Sequence, residues 1–235
     1  MNRDELKTRE ESGLQNKKRN SVFASFPLDA EAGGTWIGLN SHGVSLALLN
    51  RYQAPSIRDA YSRGNIISNA IFEGSSREII SYLKHLDTER YNPFNLLLVD
   101  GNKVTKFHWD REKYAWNSHV MTNSMMLTSS SERLEQVSDY RKTKFSQWLD
   151  EYSNENPIDQ YHLSQAPRRA SDSVMMHRTL VHTKSIVQIR VDLHSASLDY
   201  FDTRSLKANQ RVLGTPSARS ELRLEPCSDP VTALE

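Results

Sequence analysis

The first residues able to do chemistry are Asn2-Arg3-Asp4-Glu5, which set a guanidinium between an amide and two carboxylates. Extended backbone sends alternate side chains to opposite faces, so Arg3 and Glu5 share one side and Asn2 and Asp4 the other. Such a group can tune the ionisation of a neighbouring nucleophile or base, or form a structural ion-pair cluster at a strand end. Asn50 ends the apolar run VSLALLN, and Asn123 ends VMTN. A side-chain amide can donate to a developing oxyanion, an effect of about 3–4 kcal/mol, or cap a turn. The pair Gly33-Gly34 before Trp36 permits positive φ or close backbone approach, beside a ligand or in a turn feeding a strand.

Other candidates carry less. The eight histidines show no metal-ligand spacing, so no metal site is expected. Met125-Met126 and Met175-Met176 could line an apolar or haem pocket, or pack in the core. Cys227 is the single cysteine in 235 residues, which excludes an internal disulfide and a Cys-built zinc site. The formal charge of +1 and the isolated Arg168-Arg169 offer no field for nucleic acid. No run approaches the 18 apolar residues of a membrane span, and the charged first twenty residues contain no signal-type apolar core, so the default compartment is cytoplasmic.

The elements that must position these residues mix strands and helices. WIGL (36–39) and VSLALL (44–49) flank Asn40-Ser41-His42-Gly43 as a hairpin. LLLVD (96–100) and KVTKFHW (103–109) flank Gly101-Asn102 as a second, and IVQIRV (186–191) with SLDYF (197–201) make a third. A short strand is expected at 120–122. Ser75 is a candidate N-cap for a helix over 76–86, and Ser129-x-x-Glu132 has capping-box spacing for a helix over 130–152. A further helix is expected around 65–72. Residues 203–235 contain Pro216, Pro226 and Pro230 and no sustained period, as in an irregular tail or peripheral segment.

In order, NRDE at 2–5, AGGTW at 32–36, Asn50, Ser62-Arg63-Gly64, the block from Asn95 to Asp100, Thr122-Asn123-Ser124 and Thr183-Lys184-Ser185 resemble the NRDE family, also called the transport-and-Golgi-organisation two family. The resemblance covers roughly residues 1 to 202, the expected domain. It implies an α+β fold, a four-layer αββα sandwich of two antiparallel sheets similar to N-terminal-nucleophile (Ntn) hydrolases. It also implies hydrolysis of a small amide or ester by an amino-terminal Cys whose own α-amine is the base.

By that resemblance the NRDE charges, Arg3 and Asp4 with Glu5 as an alternative carboxylate, would share the holding of thiolate and amine, Asn50 and Asn123 would form the oxyanion site, and Gly34, Trp36 and Lys184 would contact substrate. Lys184 stands where relatives commonly have Arg, which keeps the charge and loses the planar fork. The Cys-bearing strand that precedes NRDE in relatives is not found ahead of Asn2 here. The expectation is that it lies upstream of Met1 in an extended polypeptide, and that the chain as written is inactive. No cofactor is expected. The competing function is non-catalytic binding or trafficking, with haem as cargo, because eukaryotic relatives have been connected with Golgi organisation and haem movement.

Overall fold

The computed structural model describes residues 1–151, 158–166, 170–206 and 213–224. Seven strands form one antiparallel sheet in chain order: β2 (Glu11–Arg19), β3 (Val22–Asp29), β4 (Ile37–Asn40), β5 (Ser45–Asn50), β6 (Phe94–Asp100), β7 (Lys103–Trp109) and β8 (Tyr114–Val120). A second antiparallel sheet has the order β1 (Asn2–Leu6), β9 (Val181–Val191), β10 (Ser195–Asp202), β11 (Ala218–Arg223). The helices are α1 (Gly64–Ala70), α2 (Ser76–Lys84), α3 (Leu134–Asp150) and α4 (Ile158–His162).

Strand alternation assigns each face. Phe26, Leu46, Leu48, Phe94, Leu96, Leu98 and Phe107 point from the larger sheet toward Ile66, Ile67, Ile79 and Leu83 of α1 and α2. Trp36, Ile37 and Leu39 face the other way and meet Val187, Leu198 and Tyr200 of the smaller sheet. Beyond that sheet Ile186 and Phe201 pack on Leu163 and Leu213. Near the same outer side Phe145 of α3 lies edge-on to Tyr161 of α4 at 5.3 Å. The result is the expected α+β sandwich of two antiparallel sheets, with helices outside both.

All three hairpins form. Gly43 and Gly101 adopt φ of +75° and +55°, where L side chains are strained. The Asn at the start of the first turn does more than turn chemistry. Buried Asn40 donates through Nδ2 to the carbonyls of Ile71 and Gly74, and its Oδ1 accepts from the N–H groups of His42 and Val44. This one amide ties the β4–β5 turn to the segment between α1 and α2. Asn40→Leu should cost about 3 kcal/mol in urea unfolding because it orphans two carbonyls and two N–H groups; a loss below about 1 kcal/mol would show that water replaces the amide.

Ser75 caps α2 as expected, with Glu78 completing a capping box. Four expectations are corrected. Ser129 and Glu132 form no such box: α3 starts later, after Arg133 in a left-handed conformation (φ 45°). Tertiary bonds take over there, since Arg141 Nη1 draws on Thr128 Oγ1 and the Ser129 carbonyl. Residue 120 closes β8 and no strand continues to 122. The helix around 65–72 begins at Gly64 and gives way to a 3-10 turn at Ile71–Glu73. Within the segment expected to be an irregular tail or peripheral segment, 218–223 are regular and pair with β10 as the edge strand β11.

Candidate functional site

A cavity of about 650 Å³ opens beside β1. Its wall includes Met1 to Glu5, Gly34 to Trp36, Leu48 to Asn50, Tyr61 to Gly64, Met125 to Ser131, Arg141 and Phe145 of α3, and Tyr161 and His162 of α4. That volume suits a small organic molecule.

β1 divides its side chains between two polar networks. On one face, Arg3 is buried and its guanidinium carbon lies 3.9 Å from the centre of the Trp36 ring. Its Nη2 reaches Asp29 Oδ2 at 2.9 Å and Glu5 Oε2 at 3.5 Å, and its Nη1 lies 2.7 Å from Glu11 Oε1. Arg9 joins through Asp29 at 2.8 Å and Glu5 at 3.8 Å. Glu11 accepts from the Tyr200 hydroxyl at 2.7 Å. Burial alone would raise the Asp29 carboxyl, but hydrogen bonds from Arg9 and the Ala32 N–H, with the Arg9 and Arg3 charges, hold it below the ordinary range. The network joins the smaller sheet to β2 and β3 of the larger one.

Asn2 and Asp4 occupy the other face. Asp4 Oδ1 accepts from Thr183 Oγ1 at 2.6 Å, and Oδ2 lies 3.4 Å from Arg141 Nη2. Burial pushes its carboxyl up, opposed by the charge of Arg141 and the bonds from Thr183 and Arg141. About a quarter of the side chain stays open, as suits a group on a cavity wall.

Asn2 fixes one of the eight histidines, His162. Asn2 Nδ2 donates to the carbonyls of His162 and Val174, both at 2.9 Å, so the amide cannot be flipped. Its Oδ1 then faces His162 Nδ1 at 2.6 Å, and that nitrogen must carry the proton. Burial holds the imidazole well below its ordinary range and keeps it neutral. Nε2 therefore keeps a lone pair with no described partner, on a residue of the cavity wall. Nothing in the spacing around Tyr161-His162 marks this role; it exists only once α4 meets β1.

Nitrogen-15 NMR should find His162 as the Nδ1–H tautomer at pH 7, unprotonated until well below pH 6.5. Asn2→Ala should let the other tautomer appear; an Nε2–H tautomer in the wild type would refute the arrangement. The unfolded chain takes up this proton first, so the stability tied to a neutral His162 is lost as pH falls below about 6.5.

The other expected site residues divide. Gly34, Trp36 and Asn50 line the cavity with Arg3 and Asp4. Asn50 Nδ2 donates one proton to the Tyr52 hydroxyl at 3.1 Å and has a second to offer. Asn123 is exposed and lies outside the lining. Lys184 is also outside it: its ammonium is held by the backbone carbonyls of Lys7 and Arg9, where it closes the β1–β2 turn. Met125, Met126 and Met176 face the cavity, whereas Met175 packs on the outer core.

Among the described residues no group of three or more His, Cys, Asp or Glu could hold a metal ion, and no helix is long and apolar enough to cross a membrane. Cys227, Arg168 and Arg169 lie outside the described residues.

Residues 1–208 match the family model of Transport and Golgi organisation 2. The chain belongs to this family. A mouse (Mus musculus) Transport and Golgi organization 2 homolog is 38% identical over 104 residues, 42% of this chain and 37% of that protein. Bovine (Bos taurus) and human (Homo sapiens) homologs are each 34% identical over 84 residues, 34% of this chain and 30% of theirs. The chain thus spans about a third of the length of the curated relatives it matches.

Proposed function

We propose that this Transport and Golgi organisation 2 member handles a small acyl compound, an amide or ester, in the cavity beside β1, in the manner of Ntn hydrolases. The observation that carries this reading is the convergence of Arg3, Asp4 and Asn50 on one cavity of about 650 Å³. Asn50 keeps an amide proton for a developing oxyanion. Asp4, held by Thr183 and Arg141, is placed to orient an amine at the head of β1. The reacting thiol would come from a Cys ahead of the NRDE tetrapeptide, delivered beside that strand.

A second reading follows from the transport in the family's name and from the apolar part of the wall. Met125, Met126, Met176 and Leu48 would suit a carried amphipathic cargo, haem among the candidates.

One experiment separates them. The chain 1–235 and a longer polypeptide carrying a Met-Cys strand ahead of Met1 are screened against acyl amides and esters, with turnover and binding both recorded. Turnover by the longer form alone, abolished by Cys→Ala with the fold intact, supports the hydrolase. Saturable binding by both forms without turnover supports the carrier, and neither binding nor turnover dismisses both.

A further inference from the structure

We infer that Arg63 anchors the anionic group of an amphipathic ligand, a carboxylate or sulfonate on an apolar body, in the cavity beside β1. This rests on the reading of that cavity as the ligand site.

Five arginines line the cavity: Arg3, Arg9, Arg63, Arg141 and Arg178. Four have carboxylate partners within 4 Å: Arg3 and Arg9 share Glu5 and Asp29, Arg141 has Asp4, and Arg178 has Glu132 at 3.4 Å. Arg63 has no such partner among the described residues. Its Nη1 donates to the Pro93 carbonyl at 2.9 Å, which sets the plane of the guanidinium. Nε and Nη2 have no described partner, and these donors can meet a planar anion with two bonds.

A half-buried guanidinium without a carboxylate partner is costly, and burial accordingly weakens its hold on its proton, against smaller support from Tyr52 and Glu5. A bound anion removes that cost. Nearby stand Tyr52, whose hydroxyl already engages Asn50, and the half-exposed ring of Tyr61, which can cover an apolar body. The backbone beneath Arg63 is fixed, because the Thr35 N–H donates to the carbonyl of the next residue, Gly64, at 3.1 Å. Lys184, the other cation expected to contact substrate, lies outside the lining with its ammonium held by the Lys7 and Arg9 carbonyls, which leaves Arg63 as the cation free to meet an anion in the cavity.

The test uses two fluorescent probes with one apolar body, neutral N-phenyl-1-naphthylamine and its anionic relative 8-anilinonaphthalene-1-sulfonate, titrated into the full chain. Ala60→Trp, which fills space at the cavity wall, should weaken both. Arg63→Gln should weaken the sulfonate about ten-fold or more and leave the neutral probe within about two-fold, which also shows an intact fold. Arg63→Lys, with charge but no fork, should fall between. Equal effects of Arg63→Gln on both probes, or none on either, would overturn the assignment to Arg63 while the cavity reading stands. Failure of the neutral probe to bind, or indifference of both to Ala60→Trp, would overturn the cavity reading and the inference with it.

Discussion

Arg3→Ala should destabilise the domain by about 4 kcal/mol, measured as a fall in urea midpoint at unchanged slope. Arg3 is 7% exposed, and Glu11 and Asp29, which face it, are 5% and 10% exposed in their side chains. Removing the guanidinium leaves Glu5, Glu11 and Asp29 close together, with Arg9 as the remaining cation in the group. A buried pair contributes little net when intact, yet breaking it from one side exposes the full desolvation cost of the other. The substitution also uncovers the face of Trp36, a further loss of roughly 1 kcal/mol. Arg3→Lys should cost about half as much, because it keeps the charge but not the fork or the stacking.

The effect carries a pH signature. Asp29 titrates below its ordinary range in the folded protein, so its contribution is present above the unfolded value of about 3.9 and is lost as pH falls through the depressed folded value. The gap between wild type and Arg3→Ala should therefore narrow in acid. A cost under about 1 kcal/mol at pH 7, or a gap that widens in acid, would mean that the network is solvated and structurally idle.

Gly34→Ala should be nearly as damaging, at about 3 kcal/mol, although only one methyl is added. A Cβ on Gly34 would sit 2.5 Å from the carbonyl carbon of Gly64 and 2.8 Å from the Asn65 nitrogen. These are backbone atoms, so no side chain can swing aside. The reciprocal Gly64→Ala meets the Thr35 nitrogen at 2.8 Å and should behave alike. Gly33→Ala is the informative neighbour: it meets nothing within 4 Å, and its cost comes from a φ of +67° alone, about 1 kcal/mol. Thermal unfolding of the three variants should rank Gly34 and Gly64 above Gly33. A Gly34→Ala protein that melts with the wild type would mean that the two loops are not in contact.

Much of the fold was legible because it rests on local chemistry. Gly43, Gly101 and the Ser75 cap act over three or four residues, and each does what its type suggests. β2 was missed because ESGLQNKKR is polar on both sides of the alternation. It is an edge strand whose mostly exposed side chains bear Lys17, Lys18 and Arg19, and its one large apolar residue, Leu14, is too little to mark a buried face. β11, ARSELR, is a second edge strand with only Ala218 and Leu222 turned to the core, too short an alternation to stand out. The start of α3 went wrong where Arg141, distant in sequence from what it binds, claimed the loop that a capping box would have organised.

The site divides along the same line. Arg3, Asp4, Gly34, Trp36 and Asn50 sit on or beside strands and reach one cavity, so motif order sufficed to gather them. Lys184 and Asn123 keep the motif order and end elsewhere, because position along a chain does not say which side of a sheet edge a residue meets. His162 and Arg63 gain their character from neighbours more than a hundred residues and thirty residues away, Asn2 and Pro93.

The stacking of Arg3 on Trp36 gives the molecule an optical gauge of its own. A positive charge held 3.9 Å from an indole face shifts the colour of its emission, and this indole also borders the cavity. Any occupant that tugs at Gly64 pulls through Thr35 on the very next residue. With the other three tryptophans changed to phenylalanine, the glow of Trp36 should register filling and emptying without any added dye.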